Sequence, residues 1–238
     1  VRGARRSAGG VALLCVWLAP AAHAAPCAAS SAVGRLGERT SALDPELRLR
    51  WIDGELARSA GRARLWTGAW GVALGAGTIA NLVPLAWVPA DQRVDWYTGA
   101  ATTAVGVVPL LIAPLDVVAD SRELRARLAT RTAGDTCALL ADAETRLVRD
   151  AKNQADGQRW WLHVGNVVLN AGVGLFLIVG FHHWAAGIWN AASGAVIGEV
   201  IIFTQPTGAV ESLRRYREGD FDPRAIPPAK MVGLTRTF

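Results

Sequence analysis

The stretch that decides the fold runs from Trp160 to Val210, WWLHVGNVVLNAGVGLFLIVGFHHWAAGIWNAASGAVIGEVIIFTQPTGAV, and it holds one formal charge, Glu199. A single helix over that length would far exceed the roughly 30 Å apolar core of a bilayer at about 1.5 Å per residue, so the segment has to fold back on itself. The polar break Phe181-His182-His183-Trp184 is the natural turn, which predicts spans over about 161–181 and 185–206. Upstream, Leu65 to Ala90 and Trp96 to Leu115 are also free of charged residues. Together they predict a first transmembrane hairpin over about 66–115, turned by Pro89 to Asp95. The expected fold class is an all-α membrane protein: four transmembrane helices in two tandem hairpin repeats, with amphipathic extramembrane helices.

Composition points the same way. The chain has 238 residues, 51% hydrophobic and 19% charged, with a mean hydropathy of +0.23, a poor match to a water-soluble domain and an exclusion of a disordered one. Tryptophan prefers the headgroup layer, where its ring is half buried and its N–H is wet. Trp66 and Trp87 bracket the first predicted span, Trp96 opens the second, Trp160 and Trp161 open the third, and Trp184 and Trp189 sit at the second turn. Gly71/Gly75 and Gly194/Gly198 each form a GxxxG spacing that lets helix backbones approach in lipid.

The two halves read as copies. Arg35 and Thr40-Ser41-Ala42-Leu43 match Arg131 and Thr136-Cys137-Ala138-Leu139; Trp66 aligns with Trp161, Trp96 with Trp189, and Pro114 with Pro206. Each unit predicts an amphipathic helix, two spans and a trailing charged helix, over 25–128 and 129–217, followed by a flexible tail at 218–238. In the first unit Asp44-Pro45-Glu46 has the form of a helix N-cap with proline at the first helical position. Two spans per unit imply parallel copies, related by an axis along the membrane normal.

Residues 1–24 read as a secretory signal peptide: Arg2, Arg5 and Arg6, a short apolar run from Val11 to Ala19, and Ala22-His23-Ala24 as the cleavage site. An uncleaved signal anchor is the alternative. Without those three arginines the formal net charge falls from +5 to +2, so the remainder has little call for a nucleic-acid partner. A signal sends the larger extramembrane segments outside, whereas the positive-inside rule, counting Arg and Lys, argues for the reverse. The complete signal, and the acids interleaved with the opposing arginines, favour the former. Basic residues that are almost all arginine, with lysine only at Lys152 and Lys230, and abundant Ala and Gly suggest a GC-rich bacterial source. The expected location is therefore the bacterial inner membrane, multi-pass, with periplasmic extramembrane segments. Cys15 leaves with the signal, and Cys27 and Cys137 then either form one bridge or remain as two thiols.

Candidate chemistry is sparse. With Trp184 as the pivot of the second hairpin, Glu199 comes level with Leu169 and Asn170, with Asn166 one turn away on the same face. This predicts an intramembrane polar cluster of Glu199, Asn166 and Asn170, private to the second unit because Val107, Gly71 and Gly75 stand near the matching positions of the first. A carboxyl group in the apolar layer either acts as neutral glue, hydrogen-bonded to Asn170, or relays protons or cations. His163 and His183 are 20 residues apart, about 30 Å along one helix, too far to share a metal. No metal or cofactor is expected, and GxSxG, Walker and GxGxxG motifs are absent from the sequence. The sequence therefore predicts a non-enzymatic structural or interaction protein, in contact with the bilayer and with a protein partner or a second copy. The alternative is a small transport or channel component using the mid-membrane Glu/Asn cluster; an intramembrane enzyme would need a second ionisable group at the same depth, and the sequence places none there.

Overall fold

The computed structural model describes residues 27–112, 115–132 and 134–221. The predicted signal segment and most of the predicted tail fall outside these residues. Every regular element among the described residues is helical: α1 (Glu38–Ser41), α2 (Pro45–Leu82), α3 (Arg93–Ile112), α4 (Val117–Thr130), α5 (Thr136–Asp156), α6 (Trp160–Phe181), α7 (Trp184–Thr204) and α8 (Gly208–Glu218), with two 3-10 turns between α2 and α3.

The helices sort into two environments. The first half of α2 packs with α4, α5 and α8 around a core of Trp51, Leu56, Leu124, Leu140, Leu147 and Tyr216, all fully buried. The apolar half of α2, with α3, α6 and α7, does the opposite and turns Val72, Ile79, Val168, Val179 and Phe203 outward. Water does not tolerate an apolar surface of that extent, whereas lipid does. Three stretches, Pro45–Ala86, Trp160–Phe181 and Trp184–Glu218, contain helix long and apolar enough to cross a membrane. Packed along the apolar half of α2 lies α3, and α6 packs along α7; contact between the two hairpins is sparse.

One expectation needs correcting. A separate amphipathic helix and a following span were expected in the first unit, yet α2 runs unbroken for 38 residues, roughly 57 Å. It starts where Asp44 accepts hydrogen bonds from the N–H groups of Glu46 (2.8 Å) and Leu47 (3.3 Å), with Pro45 at the first position. Nothing between Ala60 and Trp66 interrupts the helical hydrogen bonding: Gly61 alone costs about 1 kcal/mol relative to Ala, and packing on both sides outweighs it. In the second half α5 and α6 are separate helices, parted at Gly157–Arg159, where the Gln158 side chain donates to the Gln205 carbonyl (3.3 Å).

Buried ion pairs stitch the bundle together. Arg48 donates to Glu144 through Nη2 and to the Tyr216 hydroxyl through Nε (2.8 Å), and Tyr216 donates to the same Glu144 carboxylate. Arg146 bridges α4 and α5 by donating to Asp120 (2.9 Å) while also holding Asp142 (2.8 Å). Cys27 and Cys137 are joined, with Cα atoms 5.3 Å apart, fastening the N-terminal arm to the first turn of α5.

Candidate functional site

The second hairpin is shaped by its turn. His182 adopts the left-handed conformation (φ 59°, ψ 23°), and the N–H groups of His182 and His183 donate to the carbonyls of Ile178 and Leu177, closing α6 in the manner of a C-terminal cap. The chain therefore reverses about His182 rather than Trp184. Moving the pivot by two positions shifts every cross-helix partner by four, one helical turn.

That shift corrects the predicted cluster. The partner of Glu199 is not Asn170: its carboxylate accepts from Asn166 Nδ2 (3.0 Å) and meets His163 Nδ1 at 2.5 Å. Asn166 Nδ2 also donates to the Ala195 carbonyl (2.9 Å), and Asn170 Nδ2 donates back to Asn166, to its carbonyl and its Oδ1 (2.9 Å each). The four side chains form one line along the α6–α7 seam. The line reaches mid-span at Asn170, the eleventh of the 22 residues of α6, but its ionisable end does not. Glu199 lies five residues before the end of α7 at Thr204, about 7 Å, and His163 is in the first turn of α6. Both remain partly accessible, His163 at 26% and Glu199 at 27%, with the His163 ring 5.0 Å from that of Phe203.

The glycines of α7 make this possible. A Cβ on Gly194 or Gly198 would stand 2.0 Å from the side-chain oxygen of Asn170 or Asn166 respectively, so the two asparagines occupy the space that a larger residue would fill. Toward the turn, a Cβ on Gly187 would stand 2.7 Å from the Gly174 carbonyl oxygen, a contact that places the two backbones against each other.

Two features escaped the sequence reading. His163 is a second ionisable group level with Glu199, which that reading did not find. A second pair of the same kind stands at the opposite end of the membrane region, where His183 Nδ1 meets Asp95 Oδ1 at 2.7 Å and links the α6–α7 turn to the first turn of α3. Both pairs join residues of different helices, so no spacing motif announces them; the only signal was a histidine at each end of one apolar run.

No known protein family, curated protein or solved structure matches this chain. The chemistry must be judged from the site itself. A His–Glu pair can accept, hold and pass a proton. Among the described residues, the hydrogen-bonding partners of the pair are each other and Asn166, and no hydroxyl or thiol nucleophile is in hydrogen-bond contact with either. Beside the pair, a crevice of about 420 Å³ separates the hairpins, bordered by Thr102, Thr103 and Gly106 on one side and Asn166, Asn170 and Gly198 on the other.

Proposed function

We propose that the chain is a non-enzymatic structural or interaction protein of the membrane, which mounts a rigid helical bundle on the bilayer and presents it to a protein partner or a second copy. The observation that carries this reading is the continuity of α2, which belongs to the bundle core through Trp51 and Leu56 and to the apolar layer through Val72 and Ile79. A shared helix leaves the bundle no hinge against the membrane. In this reading α3 is the fourth span, paired with α2. The two halves descend from one duplicated unit, which is supported by Arg48 and Glu144: they stand 96 positions apart, the same spacing as Arg35 and Arg131, and they bond to each other, as equivalent residues do across a twofold axis. The location we favour is a bacterial inner membrane, with the bundle on the periplasmic side.

Photo-crosslinkers on the outer face of the bundle, at Arg122 and Arg149, test the interaction reading against crosslinkers at the lipid-facing Val168 and Val179. A discrete protein adduct from the bundle positions is expected. Adducts from neither, or equal labelling from all four, would refute it.

The His163–Glu199 pair and the adjoining crevice specifically favour a second reading, a small proton- or cation-transport component. An amide does not titrate near neutral pH, so Glu199→Gln abolishes any relay while keeping an acceptor for Asn166. Proton flux into vesicles containing the purified protein, with a pH-sensitive dye inside, decides the matter. Flux in the parent that vanishes in Glu199→Gln supports transport, and flux unchanged in Glu199→Gln eliminates it.

A further inference from the structure

Where α2 passes from the bundle into its apolar half, a cleft of about 810 Å³ opens between it and the α7–α8 connection, with Arg58, Arg62 and Arg215 in its walls. Two acids share those walls, and both are already engaged. Glu55 is buried and paired with Arg58 (2.5 Å) and Arg215 (3.7 Å), while Glu211 is paired with Arg214 (2.5 Å). Arg62 makes no ion pair among the described residues, so the cleft keeps a cationic excess. Its guanidinium lies across the start of α8: Nη2 stands 2.5 Å from where a Cβ on Gly208 would be, a place left open because residue 208 is glycine. The Thr207 side chain does not cap α8, and the buried Ser59 hydroxyl, 2.8 Å from that same Cβ position, has no hydrogen-bond partner.

The depth of the cleft identifies its ligand. Leu65 follows Arg62 by three residues and is exposed on the apolar part of α2, and the indoles of Trp66 and Trp70 both donate to Thr204 Oγ1 (3.1 Å each) at the end of α7. Interfacial tryptophans, exposed leucine below and unpaired arginine above mark the level of lipid headgroups. We propose that this cleft binds the phosphate of an anionic phospholipid, held by the Arg62 guanidinium beside the N-terminus of α8, with an acyl chain lying along Leu65. Arginine suits the role because its planar fork presents two donors to phosphate oxygens. The proposal rests on the membrane-crossing helices and holds under either functional reading above.

The test is lipid retention by the whole protein in nanodiscs of phosphatidylcholine with and without phosphatidylglycerol, read by native mass spectrometry and by the thermal midpoint. Phosphatidylglycerol is expected to stay bound and to raise the midpoint. Arg62→Gln should weaken retention about tenfold, the scale of one charged hydrogen bond. Arg64→Gln removes an equal charge at the same level outside the cleft and should leave retention unchanged. Equal losses in the two variants would mean diffuse attraction and overturn the site. Inorganic phosphate reproducing the full midpoint gain in phosphatidylcholine alone would overturn the lipid as its ligand.

Discussion

Removing Glu144 tests the bundle core at its most sensitive point. Its carboxylate is 0% exposed and accepts from Arg48, from the Tyr216 hydroxyl and from the Ser30 N–H (2.6 Å), while Arg48 is 2% exposed. Burial first, and the Glu144 carboxylate second, push the Tyr216 phenol well above its ordinary range, which keeps it a donor. Glu144→Ala strands a buried guanidinium, a loss of about 3–5 kcal/mol. At about 2–4 °C per kcal/mol for a protein of this size, the midpoint should fall by roughly 6–20 °C. The double variant Arg48→Met/Glu144→Leu leaves no stranded charge. It loses only acceptors for Tyr216 and Ser30, and should return to within about 2 kcal/mol of the parent. Circular dichroism of the detergent-solubilised proteins during heating measures both. A double variant as unstable as the sum of its single changes would show no coupling and refute the buried pair.

Three further outcomes are expected. Asp150, 1% exposed, has its carboxyl pushed up to about 8, by burial first and the neighbouring Asp120 charge second, against about 3.9 when unfolded. The folded protein therefore holds that proton between about pH 4 and 8; the stability it brings is complete below about pH 4 and lost as pH rises through about 8. Asp150→Asn should accordingly gain on the parent with rising pH, and midpoints that keep a constant gap from pH 5 to 9 would contradict this. Opening the Cys27–Cys137 link, which closes a loop of 110 residues, with Cys137→Ser should lower stability by about 5 kcal/mol in chain-entropy terms and expose the arm to protease; an unchanged protease pattern would show that the link constrains nothing. Gly187→Ala drives a Cβ into the Gly174 carbonyl and should loosen the α6–α7 hairpin by about 1–3 kcal/mol, whereas Gly165→Ala, with open space around it, should not; unfolding in graded SDS distinguishes them, and equal effects would contradict the close approach.

The helical, membrane-crossing character was legible because charge-free runs and tryptophan placement are properties of the chain itself. So was the start of α2, since Asp44-Pro45 acts through bonds within three residues. The cross-helix register was not legible, because it hinges on which residue of His182-His183-Trp184 takes the left-handed conformation. Histidine carries no glycine-like signal for that role, and an error of two positions there made Asn170 rather than Asn166 the partner of Glu199 and left His163 out of the cluster. Nor could the sequence reveal that α2 continues through Gly61 while the second half breaks at Gly157, since both junctions contain a glycine. If the halves are copies, the spacing from Arg35 to Arg131 is 96 and from Trp66 to Trp161 is 95. The second junction is then one residue shorter, and an unbroken helix there would turn its span by about 100° relative to the first. A break resets that phase.

The polar contacts also define how the two hairpins are held. His183–Asp95 fastens the second hairpin to the first at the far end, and Trp66 and Trp70 fasten it again at Thr204 on the bundle side. Between those ends lies the crevice bordered by Thr102, Thr103, Asn166 and Asn170, where packing between the hairpins is sparse. Each hairpin is internally tight, through Thr78–Thr103 (2.9 Å) in the first and the Gly174–Gly187 contact in the second. The two hairpins are thus held to each other mainly at the two fastenings. The His163–Glu199 pair stands behind Asn166, on the bundle side of the crevice, whereas the His183–Asp95 pair is itself one of the fastenings. Changing the charge of the second pair therefore alters how the hairpins are held, while changing the first reaches the crevice through Asn166, which donates to Glu199 and lines the crevice wall. That asymmetry makes His163 and Glu199 the residues on which the structural and transport readings part.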